Sequence, residues 1–447
     1  MTSATHDSID YLFSLEQFGV KLGLDNIRTL REALGYPDRS FRSIIVAGTN
    51  GKGSVAAMVD RALRAAGYAT GRFTSPHLVA LEERFAVAGR AVARESLEAE
   101  AGRLRAVAAR LLDDGRLAAP PTFFEATTAV ALSLFRRRGV AVAVLEVGMG
   151  GRFDATNVVS PIAVAVPSID LDHQQFLGPT LTAIAREKAG VIKPGALVVV
   201  GETKPQAVEV FRRACRERGC RLVEPPREVE SRAALRDGWT ELTLATPRRR
   251  YGPVRLGLRG RHQAGNAAVA VRLLEELRGY GLPVSRDAVL EGLAGTRWPG
   301  RLEVIHAGGR RLIVLDAAHN VASASAFAAY VGEVWPQGLP LLFGALGDKD
   351  VGGMARALGA AVTAAICPPL ASRRALPPDA AVTRIRAARP DLSVTAAPSL
   401  RAALEAAWRR SDVIGAVGST YLVGELLAEP ALRARKDEWY SSSVRSG

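Results

Sequence analysis

Gly48-Thr49-Asn50-Gly51-Lys52-Gly53-Ser54 follows a short apolar run, Ile44-Ile45-Val46-Ala47, and precedes a breaker-poor stretch from Val55 to Ala66. A strand, a glycine-rich turn, then a lysine and a hydroxyl at a helix start is the arrangement of a phosphate cradle. Glycines let backbone N–H groups approach phosphate oxygens. The helix N-terminus adds positive potential and Lys52 supplies a point charge. The Ser54 hydroxyl is placed to meet a phosphate-bound Mg²⁺. Ordinary P-loops carry Ser or Thr directly after the lysine, whereas Gly53 intervenes here. That argues against an ordinary P-loop ATPase or GTPase. A plain strand-to-helix turn with a chance lysine is the competing reading.

Other polar groups sit at the ends of apolar runs, where open α/β sheets collect their ligands. Glu146 closes Val140–Val147 and is placed like a metal carboxylate beside the loop; a buried acid satisfied by glycine N–H groups is the alternative. Asp172 and His173 follow the next run and could supply a second metal ligand, or be ordinary surface groups. Asp316-Ala317-Ala318-His319-Asn320 closes a later run. There Asp316 could accept hydrogen bonds from a ribose and His319 could face the reacting groups, or the cluster is a polar turn. Arg301 can reach a phosphate across a cleft, or be a surface arginine. Lys188, inside a helical stretch, reads from its surroundings as a solvated surface cation.

The elements that must position these residues alternate apolar runs with helical segments, which predicts α/β layering with mostly parallel sheets. Strands are expected at Ile44–Ala47, Val140–Val147, Ile162–Val166 and Ala196–Val200. Helices are expected at Val55–Ala66, Leu97–Leu112, Glu125–Arg137, Leu181–Ala189 and Gln263–Leu277. The Arg-, Thr- and Pro-rich interval from Pro225 to Leu258 suggests a small antiparallel insertion. Trp298-Pro299-Gly300 reads as a hinge between an N-terminal P-loop-type unit, residues 1–298, and a smaller Rossmann-like α/β unit, residues 299–447. In the second unit strands are expected at Arg311–Asp316, Pro340–Ala345, Ala361–Cys367 and Val413–Gly418. Its helices are expected at Ala322–Val334, Met354–Leu358, Leu400–Arg410 and Leu422–Leu427. The tail from Ser441 to Gly447 looks frayed.

Composition bounds the function class. The 447 residues are 48% apolar and 23% charged, ordinary for a soluble enzyme. No run approaches the roughly 18 apolar residues of a membrane helix, and the polar start, Met1–Asp10, reads as neither a secretory nor a transit signal. Three cysteines cannot all pair and none forms a metal-type CxxC, so a reducing cytoplasm is expected. The net charge of +14 is spread along the chain without aromatic interleaving. It fits an enzyme of anionic small molecules better than a specific nucleic-acid binder.

Together these blocks resemble the folylpolyglutamate synthase and dihydrofolate synthase family of the Mur ligase superfamily, over about Tyr11 to Glu425. The blocks are Lys21-Leu22-Gly23-Leu24, the loop Gly48–Ser54, Thr74-Ser75-Pro76-His77-Leu78, and Thr122-Phe123-Phe124-Glu125-Ala126-Thr127-Thr128. They continue with Glu146 to Asn157, Asp172-His173, Glu187 to Gly195, Arg297 to Glu303, Asp316 to Asn320 and Phe343 to Asp350. The loop alone points to the superfamily; the Glu146–Asn157 run with Thr74–Leu78 is far more specific for the folate branch.

The resemblance implies an ATP-dependent amide ligase acting through an acyl phosphate. Its small-molecule partners would be ATP, L-glutamate and dihydropteroate or a folate, with no specific nucleic acid, no membrane and a monomeric state. It implies that Asn50, Gly51, Lys52, Gly53 and Ser54 hold the phosphates. Asn266, Arg301 and Asp316 would complete the ATP site. Ser54, Ser75, Glu146 and His173 would be ligands for two Mg²⁺ ions, Lys188 would be carbamylated, and Lys52, Lys188 and His319 would serve catalysis. Phe123, Arg152 and Asp154 would lie near the pterin, and Ser419, like His319, near the incoming glutamate. Leu81-Glu82-Glu83-Arg84-Phe85 departs from the family's usual Tyr-Asn-Glu-Arg-Ile, keeping only the Glu83-Arg84 pair. The alternatives are a Mur-type ligase adding an amino acid to another carboxylate, and a P-loop ATPase using its basic surface.

Overall fold

The central strands of the two large sheets are apolar on both faces, so each of these sheets is buried on both sides. The computed structural model describes residues 6–19, 21, 23–429 and 432. Leu22 and the tail from Ser441 to Gly447 lie outside the described residues. The first sheet contains β1 (Arg42–Val46), β2 (Thr70–Phe73), β3 (Phe85–Val87), β4 (Arg90–Ala91), β5 (Val142–Glu146), β6 (Ala163–Val166), β7 (Leu197–Val200) and β8 (Arg221–Val223). Their order is β4-β3-β2-β5-β1-β6-β7-β8. Pairing is parallel except for β3 and β4, which join as an antiparallel edge. Ile44 and Val46 pack with Val142, Val144, Ala163 and Ala165 against helices Lys52–Ala65 and Gln263–Glu276. Their neighbours Ile45, Ala143, Leu145, Val164 and Val166 meet helices Arg94–Asp113 and Phe123–Arg137 on the other face.

The expected insertion is present as β9 (Glu230–Arg236), β10 (Trp239–Ala245) and β11 (Arg250–Arg255), an antiparallel sheet. Leu242, Leu244 and Tyr251 anchor it to the first core.

The second large sheet contains β12 (Glu303–Gly308), β13 (Arg311–Leu315), β14 (Leu339–Phe343), β15 (Val362–Cys367), β16 (Ser393–Ala396) and β17 (Val413–Val417), in the order β12-β13-β17-β14-β15-β16. Only β12 runs antiparallel. Helices Val321–Val334, Val351–Leu358 and Pro378–Ala388 cover one face; Leu400–Trp408 and Thr420–Ala428 cover the other.

Strands β2, β3, β4, β8, β12 and β16 were not expected. All but β12 are short, β12 is interrupted by Glu303 and His306, and β2 carries glycine and arginine, so no apolar run announces them. Helices Asp25–Ala33, Pro205–Glu217 and Arg286–Gly295 also escaped; the first two are strongly amphipathic but polar on average, so no run of consecutive apolar residues marks them.

Candidate functional site

In the first sheet β1 lies between β5, on the side the chain reaches through β2, and β6, on the other. Such a reversal opens a crevice at the carboxyl ends of the strands, and the phosphate loop lies there. Its helix begins at Lys52, three residues before the expected Val55, with Gly51 as its N-cap at φ +83°. Each glycine answers a contact. A Cβ on Gly51 would strike the Asn266 amide oxygen, and one on Gly53 would come 2.8 Å from the Trp298 indole nitrogen. The glycine that departs from ordinary P-loops therefore admits the Trp298 ring against the first helical turn. The loop is pinned by Thr49 N–H to the Ser168 carbonyl (2.8 Å) and by Asn50 N–H to Ser168 Oγ (3.2 Å). Lys52 Nζ donates to the Thr49 carbonyl at 3.0 Å. Gln263 donates to Ser54 Oγ at 3.4 Å.

Four of the sequence-predicted groups gather at the far wall of this cavity. Glu146 is buried and accepts from the Ser75 N–H at 3.2 Å. Burial lifts its carboxyl above the usual range, against the lowering effect of Lys52, the Ser75 N–H, Arg301 and Arg72. His173 holds a left-handed φ of +50° at the head of a short helix. Burial pushes its imidazole down to about 4 despite Asp172, with Lys349, Lys52 and His319 pushing the same way. It is therefore neutral near pH 7, with a lone pair available. Lys188 is no solvated cation: it is buried, and its Nζ donates to the Gly48 carbonyl at 2.8 Å. Burial first, then the charge of Lys52, pushes its amine down to about 7.

The second sheet supplies the opposite wall. Asp316, at the end of β13, is buried and accepts from the Leu302 N–H at 2.9 Å, so it braces the turn that carries Arg301. Burial lifts its carboxyl, opposed by Arg301 and by the Leu302 and Ala318 N–H groups. His319 Nδ1 lies 2.9 Å from the Ala317 carbonyl and its Nε2 3.5 Å from Asp172. Lys349, which sequence reasoning passed over, reaches from the loop after β14 to Asp172 Oδ1 at 2.7 Å. Asn320 Nδ2 donates to Asn50 Oδ1 at 3.0 Å. Burial would raise the Asp172 carboxyl, but His319, His173 and Lys349 together hold it well below the usual range. The phosphate loop, Glu146, His173, Lys188, Asn266, Arg301, Asp316 and His319 thus line one cavity of ≈ 360 Å³ between the two sheets.

A second cavity, ≈ 470 Å³, adjoins it. The two share Ser75, Pro76, Gly148, Met149 and His173. Asp154 lines the second cavity but is tied to its own loop, accepting from Met149 N–H and from Thr156 N–H and Oγ1. Phe123, Arg152 and Ser419 are not among the lining residues. Phe124 takes the cavity wall, while Phe123 stacks on Phe13 with centroids 5.9 Å apart. Helical spacing turns adjacent aromatics to different sides, which the double Phe did not disclose. Arg152 is exposed and pairs with Glu187 at 3.4 Å. Ser419 is buried and caps a helix by accepting from the Leu422 N–H, with Thr420 in the lining instead.

The donor set suits a hard divalent ion. Glu146 offers a buried carboxyl, His173 a neutral nitrogen, and Ser54 and Ser75 hydroxyls. No group of three or more His, Cys, Asp or Glu among the described residues forms a closed metal cage.

Fold and site define a Mur ligase. The Mur ligase middle domain family matches residues 46–274, and the Mur ligase glutamate ligase domain family matches residues 300–420. The chain is 34% identical over 363 residues to a dihydrofolate synthase/folylpolyglutamate synthase of Bacillus subtilis, covering 80% of this chain and 83% of the relative. It is 37% identical over 431 residues to a probable bifunctional folylpolyglutamate synthase/dihydropteroate synthase of Haloferax volcanii. That alignment covers 94% of this chain but spans only 50% of the longer relative. A Mycobacterium tuberculosis folylpolyglutamate synthase complexed with ADP superposes with a TM-score of 0.87 at 32% identity, covering 95% of this chain and 98% of that one. The chain belongs to the dihydrofolate synthase/folylpolyglutamate synthase family.

Proposed function

We propose that this chain joins L-glutamate to a pterin-bearing carboxylic acid, dihydropteroate or a reduced folate or both, at the expense of ATP. The observation that carries the reading is the pair of cavities meeting at Ser75 and His173. One is built around a phosphate loop and the other is walled by Phe124, Phe153 and Phe176. An acid in the second cavity can present its carboxylate to a terminal phosphate in the first.

A carboxylate is a poor electrophile and repels a triphosphate, so charge must be neutralised and the groups held in line. Residues 1–298 would bind ATP, and residues 299–447 would act as the glutamate ligase unit. Lys52 and the amides of Gly51 to Ser54 hold the phosphates, with Asn266, Arg301 and Asp316 completing the nucleotide site. Ser54, Ser75, Glu146 and His173 would hold Mg²⁺, which supplies charge neutralisation and orientation of the phosphates. Transfer of the terminal phosphoryl group to the carboxylate gives an acyl phosphate and ADP. The glutamate amine then attacks the acyl carbon and phosphate leaves. His319 stands at the cleft where that amine arrives. Lys188 is a candidate for carbamylation, because only a neutral amine adds CO₂ and burial lowers its hold on the proton.

The test is phosphate release with ATP, Mg²⁺ and L-glutamate, with dihydropteroate and tetrahydrofolate in parallel. Turnover with either supports the reading and assigns the substrate. Silence with both, from folded protein that binds ADP, sinks it and favours another carboxylate. Lys52→Ala and Glu146→Ala are each expected to reduce turnover at least 100-fold with the melting temperature retained. Full activity in either variant removes it from the site.

A further inference from the structure

One stripe of helix Val321–Val334 faces the first unit along its length. Ala322, Ser323, Ala326 and Phe327 line the phosphate cavity. Tyr330 and Glu333 continue the stripe at helical spacing, beyond that lining. The hairpin between β9 and β10 meets them there. Its turn residues Asp237 and Gly238 both hold left-handed φ, +51° and +73°, which suits a tight turn between twisted strands. The Gly238 carbonyl accepts the Tyr330 hydroxyl at 3.0 Å and Arg259 Nη1 at 3.0 Å. Tyr330 is buried, and the Arg259 guanidinium lies 3.7 Å from the Trp239 ring centroid. Arg261 Nε donates to both Glu333 oxygens at 2.8 Å, and its Nη1 donates to the Ala233 carbonyl of β9. Leu235 packs against the second core, whereas Leu242 and Leu244 belong to the first. The small sheet is thus fixed to one unit and grips a helix of the other.

The gripping residues adjoin the cavity wall on both sides. In Arg259-Gly260-Arg261-His262-Gln263 the two arginines hold the helix, and the last two residues line the cavity. Gly260 bends the segment at φ +92°; a Cβ there would come 2.6 Å from the His262 ring and from Leu302. Across the cleft, Tyr330 is one helical turn from Phe327. The helix starts at the phosphate loop, where its cap Asn320 bonds Asn50 at 3.0 Å. Ala326 lies roughly 9 Å further along the axis. A nucleotide with its phosphates in the loop therefore extends its base toward Ala326, Phe327 and His262. These wall residues come from opposite units, so the width of the base slot depends on what joins the units at that point.

We propose that the clasp of Gly238, Arg259 and Arg261 on Tyr330 and Glu333 positions the slot for the nucleotide base, so that the small sheet sets nucleotide affinity without touching the nucleotide. This inference rests on the ATP reading above. The test reverses the outer pair. Arg261→Glu sets two carboxylates face to face, and Arg261→Glu with Glu333→Arg restores the attraction. ADP affinity by titration calorimetry is expected to fall about 3- to 10-fold in Arg261→Glu and to return to within about twofold of wild type in the double variant. Tyr330→Phe removes one hydrogen bond and keeps the ring; it should weaken ADP by about 3- to 10-fold. Inorganic pyrophosphate fills the loop without a base, so its affinity should change by less than about twofold in all three variants. In turnover, KM for ATP should rise by the ADP factor while kcat holds. An exposed ion pair adds little to stability, so Arg261→Glu should keep the wild-type melting temperature, which separates positioning from folding.

Equal losses for ADP and pyrophosphate overturn the proposal, because a disturbed phosphate loop produces them. Unchanged ADP affinity in both Arg261→Glu and Tyr330→Phe overturns it, as does a double variant as weak as the single one. Wild-type protein that binds ADP but turns over neither dihydropteroate nor tetrahydrofolate removes the folate reading alone, since the titrations need no turnover. Wild-type protein that fails to bind ADP removes both.

Discussion

An amine buried beside a phosphate loop can lose its proton or gain a partner that justifies the charge. Lys188 has a single hydrogen bond, to a backbone carbonyl, and its amine is pushed down to about 7 from the ordinary 10.5. Below pH 7 the native amine is protonated and cannot add CO₂; above it, the free amine can. Activity is therefore expected to rise as pH climbs through about 7 and to respond to added bicarbonate. Labelled bicarbonate should give a carbamate signal in carbon NMR that Lys188→Arg lacks. Full activity in Lys188→Arg would remove the group from the mechanism. The linkage has a defined sign. Between about 7 and 10.5 the unfolded chain keeps a proton that the native chain has released, so this residue makes stability rise with pH across that window. At the same scale, the departures Leu81 and Phe85 are core residues, with Phe85 tilted against Phe73 at 5.5 Å. They leave the retained Arg84 in the cavity wall.

At the scale of elements, the helix Lys52–Ala65 meets the segment Trp298–Gly300 at the Trp298 ring. Trp298 is held between Gly53 and the Arg72 guanidinium, which lies 4.8 Å from the indole centroid. Gly53→Ala keeps helix propensity but drives a methyl into the ring. Overpacking of this kind costs about 1–3 kcal/mol. The variant is expected to melt at lower temperature and to bind ADP at least 10-fold more weakly by titration calorimetry. Unchanged ADP affinity would mean the ring moves without disturbing the loop. The helix Thr420–Ala428 and the helix Val321–Val334 are set by side-chain caps at Ser419 and Asn320. Ser419, which the family resemblance put near the incoming glutamate, is thus used as a helix cap.

Across the whole molecule, the two large sheets turn the carboxyl ends of their strands toward one cleft. Asn50–Asn320 and Asp172–Lys349 bridge it, and Arg261–Glu333 joins the loop after the small sheet to helix Val321–Val334. The Asp172 and Lys349 side chains are 9% and 8% exposed, so neither charge is well hydrated. Removing one partner of a buried pair costs about 3–5 kcal/mol. Lys349→Ala is expected to lower stability by that order and to increase the radius of gyration in small-angle scattering as the cleft opens. Each sheet keeps its own core, so the variant should remain folded. An unchanged radius would show that other contacts hold the cleft.

The chain's own order of residues determined much of this. Continuous apolar runs announced the parallel strands, because a doubly buried strand must be apolar on both faces. The loop Gly48–Ser54 and the polar groups Glu146 and Asp316 were legible because each closes such a run, and His173 because it lies in the segment that follows one. Elements such as β2 and β12 were not, since polar residues interrupt their apolar ones; helix Pro205–Glu217 was missed although Ala207, Val208, Phe211, Ala214 and Cys215 form an apolar stripe at helical spacing. Tertiary structure alone decided which side chains face which. It turned Phe124 rather than Phe123 to the cavity, tied Ser419 into a helix cap and buried Lys188. It also brought Lys349 to Asp172, residues 177 apart in the chain. Burial and long-range pairing depend on what the folded chain places nearby, and local spacing does not carry that information.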